Sequence, residues 1–239
     1  VLAHVPDIND FVSGFTTLLK PEGVVTFENP HLLNLVNDNQ FDTMYHEHYS
    51  YLSVTSVKKI FSTNGLTLFD VEEIPTHGGS LRYYAQNSIT GIQPISENVK
   101  KIQYIEDEFG LNNMEFYNGF QEKAEIIKRN FLDFLIKQKK QNKKVVAYGA
   151  AAKGNTLLNF CGIRKDLISY IIDKNPIKQN KFSPGSRIPV YDEKKMKVDK
   201  PDFIVILPWN LKKEIMEQLI YSKDWGAKFV IVIPRIQII

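Results

Sequence analysis

The chain has 239 residues, 43% hydrophobic and 12% aromatic, with 30 Lys and Arg against 27 Asp and Glu. That suits one large domain or two small ones around a real apolar core. A net charge of +3 and a single cysteine, Cys161, exclude a strong nucleic-acid footprint, a disulfide framework and a cysteine zinc site within the chain, and no apolar run approaches the ~18 residues of a membrane-spanning helix.

Taken in order, residues 1–5 (VLAHV) read as the end of a strand. The chain opens on Val1 inside that strand, so a piece of a longer, soluble, cytoplasmic protein is expected. Residues 7–20 carry helical apolar spacing at Ile8, Phe11, Val12, Phe15, Leu18 and Leu19, with Asp7 as N-cap and Pro21-Glu22-Gly23 as the stop. Residues 24–28 read as a strand, 55–64 as a helix closed by Gly65, and 66–74 and 80–86 as strands of a hairpin around residues 75–79. The order is β-α-β-α-β-β.

From residue 96 to about residue 140 the chain is polar, and its spacing predicts two helices broken near residues 110–113. The lysine-rich run at 137–144 reads as a solvated helix end, with an anion-binding patch as the alternative. Strands are then expected at 144–149, 167–173, 201–207 and 229–234, with helices at 150–159 and 210–221. The continuous apolar runs VVAYG, FIVIL and FVIVI predict a buried parallel sheet. The fold class is α/β, divided as residues 1–88, a helical linker at 89–140, and residues 141–239.

Tyr45-His46-Glu47-His48 is the densest run of groups able to move protons or stabilise charge, and it lies beyond the strand at 24–28. A metal site is disfavoured, because neighbouring residues seldom supply three ligands to one ion and the H-E-x-x-H spacing is absent. Acid/base chemistry and a merely structural network both remain open. After the strand at 144–149, Gly149 and Gly154 bracket Lys153, with Asn155 next. Small residues at a helix N-terminus suit a phosphate, and equally suit close packing of helix on strand. The spacing matches neither G-x-G-x-x-G nor a P-loop. Asp173 is placed like a ribose-binding acid or a plain strand-end residue. Trp209 follows a strand and is a candidate for stacking on a base or sugar, or a surface aromatic beside an Asn210 N-cap. His77 and His4 each read as pocket groups or as ordinary solvated histidines.

The stretch FDTMYHEHYSYLSVTSVKKIFSTNGLTLFDVEEIPTHGGSLRYYAQ resembles the catalytic region of sugar C-methyltransferases, which act on nucleotide-linked 4-keto deoxysugars. YGAAAKGNTLLNFCGI, IDKNPIKQNKFSPGSRIPV and PDFIVILPWNLKKEIMEQL resemble that family's C-terminal domain. The resemblance implies a zinc-binding N-terminal domain, an S-adenosylmethionine-binding Rossmann-like core and a C-terminal α/β domain. Only the later half of the core and the C-terminal domain correspond to residues present. The expected architecture is therefore an incomplete Rossmann-like methyltransferase core, a helical linker and a second Rossmann-like parallel-sheet domain. With the glycine-rich cofactor loop absent, residues 1–239 are expected to bind S-adenosylmethionine poorly.

The resemblance implies a base at His48 that abstracts a proton beside the sugar ketone. An imidazole, with an ordinary pKa of about 6.5, suits that task near neutral pH. Glu47 and Tyr45 would hold the base or the sugar, or stabilise the enolate oxygen, and His4 matches a second active-site histidine. His77, Gly149, Lys153, Gly154, Asn155 and Trp209 are the candidate contacts to a nucleotide-diphosphate sugar. No metal, nucleic-acid or membrane partner is expected. Two other readings stay open: a non-catalytic nucleotide-sugar-binding protein, and an NAD(P)-dependent sugar oxidoreductase suggested by the turn at Gly149.

Overall fold

Two separate sheets organise the chain. The computed structural model describes residues 1–239, which divide into unit 1 (Val1–Asn37 with His46–Asn118) and unit 2 (Asp38–Tyr45 with Gly119–Ile239). The short segment Asp38–Tyr45 thus folds with a stretch that begins only at Gly119.

In unit 1, β1 (Val24–Pro30), β2 (Leu66–Ile74) and β3 (Ser80–Asn87) form an antiparallel sheet in the order β1-β3-β2. Alternation puts Phe27, Leu68, Leu81, Tyr83 and Ala85 into one core with Val12 of α1 (Ile8–Leu18), Val57 and Phe61 of α3 (Val54–Thr63), and Val99 and Ile102 of α4 (Glu97–Glu108). Asp7 caps α1 by accepting from the Asp10 amide at 2.9 Å. Ser53 and Ser56 close a reciprocal capping box on α3, which ends at Gly65 with φ +76°.

Three expectations need correcting. Residues Leu2–His4 form a 3-10 turn, not a strand end. The His4 amide folds back onto the Val1 carbonyl, and the Ala3 carbonyl accepts from the Tyr49 and Ser50 amides in a loop, so no strand ladder forms. A helix, α2 (Leu32–Asn37), and a 3-10 turn at Phe41–Thr43 lie between β1 and Tyr45, so the titratable string does not directly follow a strand. Six residues offer too few helical periods for α2 to declare itself. The helical stretch at 89–140 is not a linker of its own. Its α4 half packs in unit 1, while Ala124, Ile127, Phe131 and Leu135 of α5 (Phe120–Lys140) enter the core of unit 2.

Unit 2 is built on six strands in the order β6-β5-β4-β7-β8-β9. These are β4 (Val145–Tyr148), β5 (Ile171–Ile172), β6 (Val190–Tyr191), β7 (Phe203–Ile206), β8 (Lys228–Ile231) and β9 (Gln237–Ile238). All neighbours are parallel except the β8–β9 pair. Val145 and Ala147 face one core with α5 and α6 (Ala152–Cys161). Val146 and Tyr148 face a second with Met196 of α7 (Glu193–Asp199) and Ile215 of α8 (Lys212–Gln218). Burial on both faces is why these strands read as unbroken apolar runs. Cys161 is buried among them, and burial pushes its thiol up to about 12. No helix is long and apolar enough to cross a membrane.

The most concentrated polar interaction of unit 1 is the Glu106 carboxylate, which is fully buried. It accepts from the Val54 amide at 2.6 Å, the Thr55 amide at 3.0 Å, the Thr55 hydroxyl at 2.8 Å and His31 Nε2 at 2.9 Å. Burial raises its pKa, but the bonds from His31 and Thr55 outweigh burial and hold it below the ordinary carboxylate value. Its stabilisation is therefore present above about pH 4.5 and lost as pH falls through the lowered folded value. Glu106→Gln is expected to destabilise the chain by about 3 kcal/mol in urea unfolding at pH 7. The deficit relative to wild type should shrink below about pH 4. A deficit that is constant with pH would mean that charge plays no part.

Candidate active site and switch-point cluster

Two separate groups of polar residues emerge, one in each unit. In unit 1 the structure brings His4 and His48 together, with ring centroids 4.9 Å apart and planes at 62°. Tyr51 packs edge-on to His48 at 5.9 Å. The Tyr49 amide, immediately after His48, donates to the Ala3 carbonyl, immediately before His4, at 2.8 Å. Backbone pairing one residue away therefore sets the two rings side by side. His46 and Glu47 are exposed in the preceding turn. Tyr45 ends the segment that folds with unit 2. His77 is exposed in the β2–β3 connection at φ 55°, and Gly79 beside it packs so tightly on Asn34 that a Cβ would lie 2.3 Å from its Nδ2. His31, the remaining histidine, is buried against Glu106.

In unit 2 the C-terminal ends of β4 and β7 lie side by side where the strand order reverses, since β4 leads to β5 on one side and β7 to β8 on the other. Crevices at such points are where open parallel sheets take ligands. Here the crevice is filled by the protein itself. Gly149 has φ +90°, and a Cβ would lie 2.5 Å from Pro208 Cδ. A Cβ on Gly154 would lie 2.7 Å from Leu207 Cδ1. Both glycines let the two strand ends close up, which is the packing reading of that motif.

The 3-10 turn Phe41–Thr43 occupies the same place. Phe41 stacks on Phe160 of α6 with centroids 4.9 Å apart. Asp42 is fully buried and accepts from Trp209 Nε1 at 2.7 Å. Lys153, itself buried, places Nζ 4.5 Å from the Trp209 ring centroid and 3.3 Å from Asn210 Oδ1. Trp209 is thus bonded through its N–H, covered by a cation and packed against both cores of unit 2, and it is no open stacking platform. Burial raises the Asp42 pKa to about 6, partly offset by the Trp209 bond and the Lys153 charge. Burial in turn lowers the Lys153 ammonium.

Asp173, the candidate ribose acid, is also engaged. It accepts from the Ala150 amide at 2.7 Å and the Asn175 amide at 2.8 Å, with Lys178 Nζ 3.5 Å away. The Ala150 N–H that would meet a phosphate is therefore taken.

Residues 75–234 match the family model described as "C-methyltransferase C-terminal domain". Over 237 residues, 99% of this chain, the sequence is 32% identical to the C-methyltransferase NovU of Streptomyces niveus, and it spans 56% of that protein's length. The chain belongs to the C-methyltransferase family. In this chain an open concave surface of unit 2 lies to one side of the filled crevice. A cleft of about 300 Å³ lies by β4, β5 and β6 and is lined by Ala150, Asn155, Lys178, Lys181, Phe182 and Ser183, among others. Of the expected nucleotide-sugar contacts it contains Asn155 and lacks Gly149, Lys153, Gly154, His77 and Trp209. Lys181 and Phe182 lie within the stretch IDKNPIKQNKFSPGSRIPV, but no spacing inside it singled them out. Asp42 escaped the sequence reading because its partner is 167 residues away.

The raised pKa of Asp42 carries a sign. Folding favours its protonated form, so ionisation weakens the fold as pH rises from about 4 to about 6. Asp42→Asn, which cannot ionise, is expected to gain on wild type by up to about 3 kcal/mol over that range and to gain nothing further above it. Urea unfolding of both proteins across pH checks this; a difference that is flat from pH 4 to 7 would place Asp42 in contact with water.

Proposed function

We propose that these residues are the sugar-handling part of an S-adenosylmethionine-dependent C-methyltransferase for a nucleotide-linked 4-keto deoxysugar, with His48 as the base. The observation that carries this reading is the His4–His48 pair, set by the Ala3–Tyr49 backbone bond. The pair places two side chains able to exchange protons at one point of unit 1. His48 takes the proton from the carbon beside the ketone. The C–H electron pair moves into a new C=C bond, and the ketone oxygen becomes the enolate oxygen. Tyr45 and Glu47 are the neighbouring groups in the chain able to hold the sugar or steady that oxygen.

S-adenosylmethionine would supply an electrophilic methyl group to the enolate carbon. The residues described here do not fit that cofactor. Unit 1 has an antiparallel sheet without a strand–glycine turn–helix, and the one such turn, after β4, is closed by Asp173, Pro208 and Leu207. The chemistry that these residues carry ends at the enolate.

Within unit 2 taken by itself, we propose that the cleft lined by the turn after β4 and by the loop before β6 takes a nucleoside diphosphate. Lys178 and Lys181 suit a diphosphate, Phe182 is exposed enough to meet a base, and Asn155 can bond either part.

Proton exchange tests the base without any methyl donor. In deuterated water, His48→Gln is expected to slow exchange at the carbon beside the ketone by about 10²–10⁴-fold. Wild-type exchange rates in the variant would remove His48 from the role. Calorimetry with a panel of nucleoside-diphosphate sugars tests the cleft. Binding should weaken with salt, and Lys181→Ala should weaken it by about tenfold, or roughly 1.4 kcal/mol. Unchanged affinity in Lys181→Ala would move the nucleotide elsewhere.

A further inference from the structure

Asp42 presents an arrangement that stability alone does not explain. Its Oδ1 is buried without a hydrogen-bond partner, as are both side-chain polar atoms of Asn39 in the same segment. Leaving buried polar atoms unsatisfied is costly, so a fold selected only for stability would fill this place with apolar side chains. Instead the segment Asp38–Tyr45 is seated in the switch-point crevice of unit 2, where its carboxylate lies beside Lys153 and under the Trp209 N–H. An internal carboxylate thus stands where such sheets take anionic ligands. Three residues after Asp42 in the chain begins Tyr45-His46-Glu47-His48.

We propose that unit 2 uses its switch point as a clamp on the segment leading into the catalytic string, with Trp209 and Asp42 as positioning residues for the proton abstraction proposed at His48. Lys153 completes the clamp by holding the indole face and countering the Asp42 charge. Trp209 and Lys153 then act on the reaction through the segment and not by touching the sugar. The catalytic half of this inference rests on the function proposed above; the clamp itself does not.

The test separates the two. In the 3-10 turn, the Thr43 amide bonds to the Gln40 carbonyl and the Met44 amide to the Phe41 carbonyl, each at 3.0 Å. Trp209→Phe keeps the ring and removes the N–H. It is expected to raise hydrogen exchange at Thr43 and Met44 at least about tenfold while the amides of β4 and β7 stay protected. Trp209→His, which retains a ring N–H, should restore part of that protection. Trp225→Phe is the control, since that indole bonds to the Pro201 carbonyl outside the cluster, and it should leave both sets of amides unchanged. Where Trp209→Phe does not fold, Asp42→Ala, which removes the acceptor, replaces it, with exchange at the same two amides expected to rise. Unchanged exchange in a folded variant overturns the clamp. In the active protein, Trp209→Phe should lower kcat about tenfold or more with KM for the nucleotide sugar within about twofold. A raised KM with unchanged kcat would make Trp209 a substrate contact and overturn its positioning role. Wild-type protein without proton exchange or methyl transfer would sink the functional reading, while the amide measurement would still decide the clamp.

Discussion

The bond from the Trp209 indole to the Asp42 carboxylate joins positions 167 residues apart, and it fixes to which body the segment before Tyr45 belongs. A carboxylate that has lost water must find donors or be neutralised. Asp42 finds one N–H and one nearby ammonium, and its pKa drifts up to about 6 because these do not fully replace solvent. That incomplete compensation is informative. Phe41 against Phe160 supplies the apolar burial that holds the turn in place despite the polar cost. The rest of the region follows: Gly149 and Gly154 must lack side chains so that the two strand ends can close, and Lys153 must lie under the indole.

Glu106 offers a contrast within the same chain. It is equally buried, yet four donors surround it, and its pKa moves the opposite way. One buried carboxylate is fully satisfied and joins α4 to the start of α3. The other is half satisfied and anchors a segment that leads to the titratable string. The number of donors that meet each carboxylate, and not the residue type, separates the two roles.

The doubly covered sheet also explains the displaced cleft. A parallel sheet offers openings at the C-terminal ends of its strands. With the β4–β7 opening filled by residues 41–43, concave surface remains beside β4 and β5, where the loop carrying Lys178 to Ser183 forms a wall. Asp173 belongs to that wall's foundation: by accepting from Ala150 and Asn175 it shapes the turn and is not left to meet a ribose.

The sequence by itself determined much of this protein. Period-3.6 spacing placed α1 and α3, alternation and a glycine turn placed the β2–β3 hairpin, and unbroken apolar runs marked β4, β7 and β8 as buried on both faces. These signals are local, and a single chain carries them in full. The short elements α2, β6 and β9 were silent, because two to six residues hold too few periods to read. The run Tyr45–His48 was conspicuous as chemistry, but its pairing with His4 depended on a backbone bond from Tyr49 to Ala3 that no spacing announces. The direction of Trp209, Lys153 and the glycines was decided only by tertiary structure. Each reads in sequence as facing ligand or protein, and in the structure Trp209 meets a carboxylate from 167 residues away while the glycines meet Pro208 and Leu207.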